Sequence, residues 1–217
     1  MSSLVIIDSE CANLSSIYKA VRYVALDPVI SDDPKTIVSA RAIIFPGVGS
    51  FAHAASLINR KRLTESLVEA IGAGIPFLGI CLGMQLLFSR SEEANLGSGT
   101  EPAKGLSEIP GEVKRFPDSL PVPHVGWNQV TPAFEDPLFR DLEQVSNGGA
   151  YFYFTHSYYV QPQNRAHILG DTDYGFSFTS AVKKRNLYGV QFHPEKSGPA
   201  GLRLLSNFGK IIADTRD

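Results

Sequence analysis

The sequence predicts an α/β fold: a central, mostly parallel sheet flanked by helices, with additional antiparallel strands in the C-terminal half. Three observations lead there. Residues 4–88 alternate short apolar runs with stretches of helical period. Those apolar runs lack an in/out alternation, as strands buried on both faces do. After Ser89 the texture changes, first to a stretch rich in Gly, Pro, Ser and charge over residues 91–125, then to closely spaced β segments.

Leu4 to Asp8 reads as a short strand ending in a carboxylate, followed by a helix with apolar residues at Leu14, Ile17, Ala20, Val21 and Val24 and Asn13 as its N-cap. Pro28 to Ser31 and Ala42 to Phe45 are further strands. Phe51 to Ile71 is helical and broken near Asn59 to Arg62. Phe77 to Ile80 is a buried strand that runs into a helical pattern at Leu82, Gln85 and Leu86. Glu112 to Phe116, Tyr151 to Tyr159, His167 to Asp171, Ser177 to Lys183 and Leu187 to Phe192 read as strands, and Gly198 to Ala213 as a closing helix. Lys183-Lys184-Arg185-Asn186 reads as a solvated hairpin turn.

Composition bounds the rest. At 217 residues a single domain, 1–217, is expected. A formal net charge of −2 gives no reason to expect nucleic acid or an anionic membrane as partner, and no apolar run approaches the ~20 residues that span a bilayer. The N-terminus lacks a basic n-region and runs straight into a strand, unlike a signal peptide. Cys11 and Cys81 are too few for a disulfide framework, so the expected location is cytoplasmic. His124 and His156 share no ligand spacing with other His, Cys or carboxylate residues, so no metal site is expected; no cofactor is expected either.

The chemistry concentrates at Cys81. It stands between a buried strand and a helical pattern, flanked by Gly79 and Gly83. A side chain at such a turn is pushed out of the backbone, and small neighbours leave room for a substrate. Helix N–H groups aimed at the sulfur would favour thiolate. The bland alternative is a small buried hydrophobe. Leu187 to Glu195 adds a strand that delivers His193 to its end, with Pro194 biasing His193 to an extended conformation in which His193 and Glu195 face the same way. A carboxylate beside an imidazole fixes its tautomer, so Cys81, His193 and Glu195 form a nucleophile, base and orienter set. A lone strand-end His is otherwise a satisfied surface or core residue.

A third stretch, Phe45 to Phe51, passes through Gly47, Val48 and Gly49 into a helix and could supply backbone N–H groups to an oxyanion beside that of Leu82. It also satisfies a weak dinucleotide fingerprint, Gly47-x-Gly49-x-x-Ala52. That reading fails on position, since this is not the first βα turn and Glu65 lies in an amphipathic helix.

Gly79-Ile80-Cys81-Leu82-Gly83-Met84-Gln85 together with Gly189-Val190-Gln191-Phe192-His193-Pro194-Glu195 resembles the class I (triad) glutamine amidotransferases, whose sheet is flavodoxin-like. Within that superfamily Phe45 to Gly49, Ser91 to Glu93, Ile109 to Val113, Pro123 to Asn128 and Tyr153 to Tyr158 are most similar to the glutaminase subunits (HisH) of imidazole glycerol phosphate synthase. The likeness covers nearly the whole chain.

The resemblance implies hydrolysis of L-glutamine through a thioester on Cys81. The ammonia would pass to a (β/α)8-barrel cyclase subunit (HisF-like) in a heterodimer serving histidine biosynthesis. It also implies that Gln85 and Glu93 hold the amino-acid end of the substrate. Gly47, Gly49, Ser157 and Tyr158 would border it, and Val48 with Leu82 would frame the oxyanion. Asn13, Trp127, Asn128 and Tyr153 would lie towards the partner. Read without the resemblance, Glu93 is an ordinary exposed carboxylate and Trp127 an interface anchor or a core residue.

One departure stands out. The subfamily's Asp-x-Gly-x-Gly-Asn stretch here reads Asp8-Ser9-Glu10-Cys11-Ala12-Asn13, with both glycines lost. Two other readings are a glutaminase serving another synthase, of pyridoxal phosphate or anthranilate type, and a non-catalytic binding subunit. The loops at Pro123 to Asn128 and Tyr153 to Tyr158 argue against the first, the intact Cys81, His193 and Glu195 against the second.

Overall fold

The computed structural model describes residues 3–95, 103–142 and 150–215. Strands β1 (Leu4–Ile7), β2 (Pro28–Ser31), β3 (Ala42–Gly47) and β4 (Phe77–Cys81) lie parallel, and β12 (Leu187–Val190) joins β4 in parallel to give the order β2-β1-β3-β4-β12. This is a doubly wound half-sheet whose strand order reverses between β1 and β3. From β12 the same sheet continues antiparallel through β11 (Ser177–Lys184), β10 (Ile168–Asp173) and β7 (Thr131–Pro132). A branch runs from β11 to β9 (Tyr158–Pro162) and β5 (Gly111–Arg115). A separate antiparallel ribbon pairs β6 (His124–Gln129) with β8 (Tyr151–His156).

Helices cover both faces of the parallel part. On one side α1 (Leu14–Tyr23) presents Ile17, Ala20 and Val21, and α6 (Gly198–Asp214) presents Leu204, Leu205 and Phe208. On the other, α2 (Pro34–Val38), α3 (Phe51–Arg60) and α4 (Leu63–Gly72) bury Ile37, Phe51, Ile58, Leu63 and Leu67. Each large apolar side chain so buried contributes roughly 2 kcal/mol. The caps follow the sequence. Asn13 accepts from the Ser16 N–H, and the expected break in the helical region falls at Arg62, whose φ is +58°.

Several expectations are corrected. Helix α2 is an addition; five residues are too few to show a period, although Asp33 caps it and Pro34 opens it. Most of the expected Pro123 to Asn128 loop is strand β6, His124–Gln129. Tyr151 to Tyr159 is two strands, β8 and β9, which part at Ser157 and enter different sheets. β12 ends at Val190, three residues short of His193, and His167 belongs to a 3-10 turn, Arg165–His167, ahead of β10. The basic turn is not simply solvated. Lys183 pairs with buried Asp136 and lies 5.0 Å over the Tyr188 ring, and Lys184 donates to the Glu108 carbonyl.

Candidate active site

Cys81 is the last residue of β4, with φ +54° and ψ −111°. A non-glycine residue outside the usual regions costs about 1–3 kcal/mol and persists where its surroundings hold it. Here they do so by close backbone packing. A Cβ on Gly83 would come within 1.8 Å of the Phe45 carbonyl oxygen, and one on Gly47 within 2.9 Å of the Gly83 nitrogen. The ends of β3 and β4 can therefore press together only because these positions carry no side chain. The helix expected after Cys81 is a single turn, α5 (Leu82–Gln85). That shortens the dipole the sequence suggested and leaves local N–H groups as the electrostatic feature of the turn.

The thiol is not sealed in hydrocarbon. It lines a cavity of about 290 Å³ together with Val48, Gly49, Leu82, Gln85, Glu93, Ser157 and Tyr158. A larger hollow of about 870 Å³ lies elsewhere and shares no lining residue with it.

The imidazole and carboxylate meet, though not as expected. Past β12 the chain bends, and Pro194–Lys196 forms a 3-10 turn. This turn, rather than an extended segment, brings Glu195 Oε1 to 2.8 Å from His193 Nδ1. Two anchors fix the ring: its backbone N–H donates to the Tyr153 carbonyl, and the Ser197 hydroxyl donates to the His193 carbonyl. Burial by itself would lower the imidazole pKa, but the Cys81 sulfur and Glu195 outweigh it and push it up to about 10. The ring is thus most stable as the imidazolium. Its buried Nε2 makes no hydrogen bond of ordinary geometry among the described residues.

The remaining residues gather around the cavity. Glu93 reaches back to accept from the Phe51 N–H at 2.6 Å. Gln85 Nε2 donates to the Tyr158 carbonyl and to Gln191 Oε1, both at 3.1 Å. The Ser157 carbonyl accepts from the Phe116 N–H. Val48 departs from its expected role in this arrangement. Its N–H donates to the Cys11 carbonyl at 2.7 Å and so is not offered to an oxyanion. Of the residues expected towards a partner, Trp127 is 57% exposed and stands edge-on to Tyr153, hence not in the core. Asn13 is exposed. Asn128 is half-buried and turned inward, with its side chain bonded to its own chain.

Sequence reasoning missed three features around the cavity. Gln191 Nε2 lies 3.6 Å from Cys81 Sγ. It stands two residues before His193, so the period of an extended segment could have flagged it. The Cys11 carbonyl and the His124–His156 pair had no such signal. Among the described residues no group of three or more His, Cys, Asp and Glu is arranged to hold a metal, and no helix is long and apolar enough to cross a membrane.

An elbow-mounted thiol, an imidazole held by a carboxylate and a small cavity at the thiol are the parts that a nucleophile–base–orienter site requires. The family model for "Glutamine amidotransferase class-I" matches residues 5–212, and the chain belongs to this family. Among solved structures it is similar to PurLQS from Thermotoga maritima, with a TM-score of 0.71 at 15% identity over 97% of this chain and 99% of that one. It is also similar to a glutamine amidotransferase from Thermotoga maritima, with a TM-score of 0.61 at 17% identity over 99% of this chain and 85% of that one. These two likenesses concern the fold alone. Within the family the chain groups with the HisH proteins. It is 44% identical over 98% of its length, and 96% of the relative, to "Imidazole glycerol phosphate synthase subunit HisH" of Moorella thermoacetica. To "Imidazole glycerol phosphate synthase subunit HisH 1" of Methanococcus maripaludis it is 43% identical over 96% of this chain and 100% of the relative.

Proposed function

We propose that this protein is the glutaminase subunit of imidazole glycerol phosphate synthase, located in the cytoplasm and paired with a (β/α)8-barrel cyclase. The full-length similarity to HisH proteins supports the assignment, and the approach of His193 and Glu195 to the Cys81 elbow carries the chemistry.

Cys81 Sγ attacks the glutamine carboxamide carbon while His193 Nε2 holds the sulfur's proton. The C–N bond breaks as His193 returns that proton to the departing nitrogen, leaving a thioester and ammonia. Water, deprotonated by His193, attacks the thioester carbon, and the C–S bond breaks to give glutamate, with the sulfur leaving as thiolate beside the His193 imidazolium that holds the proton. Glu195 keeps the ring in one tautomer and stabilises the imidazolium. Glu93 and Gln85 would hold the amino-acid end, with Gly49, Ser157 and Tyr158 bordering it. The N–H of Leu82 would meet the oxyanion.

The second oxyanion donor requires the Val48 peptide to rotate away from Cys11, which Gly47 and Gly49 on either side allow. A partner that favours the rotated state raises turnover by shifting that population. Trp127, Tyr153 and Asn13 are the residues proposed to face the cyclase.

The test is glutamate release by the purified chain with and without a HisF-type cyclase and its ribonucleotide ligand. Slow hydrolysis alone and a large increase in the complex are expected. Full-rate hydrolysis without partner would refute the dependence, and no glutamine-dependent cyclisation in the complex would refute the assignment.

A further inference from the structure

His124 and His156 are buried, take no part in the chemistry above, and pair across the strands of the β6–β8 ribbon. His156 also lines the thiol cavity. Its Nδ1 lies 2.8 Å from the Tyr158 carbonyl oxygen, and its Nε2 lies 3.1 Å from His124 Nδ1. His124 Nε2 lies 3.4 Å from Asn128 Nδ2. The Asn128 amide is oriented independently, since Nδ2 donates to the Asp173 carbonyl and Oδ1 accepts from the Gln129 N–H, both at 2.8 Å.

These contacts assign every proton. A carbonyl only accepts, so His156 carries its hydrogen on Nδ1 and its Nε2 is an acceptor. His124 must then donate from Nδ1, which leaves its Nε2 to accept from Asn128. A second proton on either ring would set N–H against N–H. Burial agrees with this, lowering His124 to about 4 and His156 to about 3. The chain of bonds ends on the Tyr158 carbonyl, which also receives Gln85 Nε2. Gln85 in turn meets Gln191, whose Nε2 points at Cys81 Sγ.

We propose that His124 and His156 are positioning residues for the glutaminase reaction: a pair locked as Nδ1–H tautomers that fixes the Tyr158 carbonyl, and through it Gln85, against the β6–β8 ribbon. The proposal rests on the reading of Gln85 as a substrate-facing residue. The competing role is packing alone, because His124 stacks on Tyr174 at 4.0 Å and His156 lies 5.2 Å from Phe116. Packing depends on ring shape; positioning depends on one donor at one carbonyl.

The two separate by substitution. In His156→Asn the side-chain nitrogen can occupy the place of Nδ1 and still donate to Tyr158, whereas His156→Leu fills space without a donor. In the partner-activated complex His156→Leu should raise KM for glutamine about tenfold or more, with kcat changed much less, and His156→Asn should stay within about threefold of the parent. Nitrogen-15 spectra of the unmodified chain near neutral pH should show both rings as Nδ1–H tautomers. A folded His156→Leu with parental KM, equal losses in the Leu and Asn variants, or an Nε2–H tautomer on either ring would overturn the proposal. The tautomers are read without mutation, so they decide the matter even where a variant does not fold. A parent complex inactive on glutamine would instead sink the functional reading, which separates the two failures.

Discussion

Cys81, at φ +54°, sits among closely packed backbone: the Phe45 carbonyl against Gly83, and Gly47 against the turn that follows. Strain of that kind is useful where a sulfur must stand clear of its backbone and meet both a substrate carbon and a base. Cys81→Ala is expected to abolish glutamate release while leaving ammonia-dependent cyclisation by the complex intact, measured with glutamine and with ammonium salt. Glu195→Gln removes the carboxylate that stabilises the His193 imidazolium. Its kcat should fall by about 10²–10⁴-fold with little change in KM, as steady-state kinetics of the activated complex would show. Sequence spacing anticipated that Glu195 would reach His193, but for the wrong reason: the contact comes from a 3-10 turn, which no strand-period argument contains.

The turn after β4 and the β6–β8 ribbon act as units. Gly83→Ala would drive a methyl group to 1.8 Å from the Phe45 carbonyl oxygen, so β3 and β4 must separate at their C-terminal ends. The expected result is a thermal midpoint lowered by several degrees and loss of activity, read by calorimetry and glutamate release. The ribbon predicts an acid response. In the unfolded chain its two histidines take up protons below about 6.5, whereas folded they stay neutral down to about 4 and about 3. Their stabilisation is therefore complete above about 6.5 and is lost as pH falls through the folded values, on the order of a few kcal/mol. Urea unfolding at neutral pH and near pH 4.5 should show that loss, and His124→Phe should lessen it. The raised value of His193 works in the opposite direction. Its contribution is complete below about 6.5 and lost as pH rises through about 10.

Over the whole molecule, the elements converge at one edge of the sheet. Cys81 ends β4, Gly47 ends β3 beside it in register, and His193 follows β12 on the other side. The loop after β1 reaches the same edge and holds the Val48 N–H through Cys11. Lys61 secures that loop, accepted by Asp32 and Glu10 at 2.9 Å and by the Asp8 carbonyl at 3.2 Å. Glu10, at φ +61°, stands in the stretch where this chain lacks the subfamily's two glycines, and its ion pairs with Lys61 and Arg60 accompany that conformation. Exposed Trp127 offers an apolar surface on the ribbon. Trp127→Ala should weaken binding to the cyclase about tenfold or more by calorimetric titration, with the thermal midpoint of the free chain unchanged.

The strand–helix alternation, the place of Cys81 at a strand end between two glycines, the Phe45 to Phe51 turn and the nearness of Glu195 to His193 were legible along the chain, because each is a matter of residues close in sequence. Where Asn128 points, which nitrogen of His156 carries its proton, and whether the Val48 N–H faces the substrate or Cys11 were not. Those depend on hydrogen-bond partners brought from distant segments, and a donor's choice among acceptors is made only after the sheet has set them side by side.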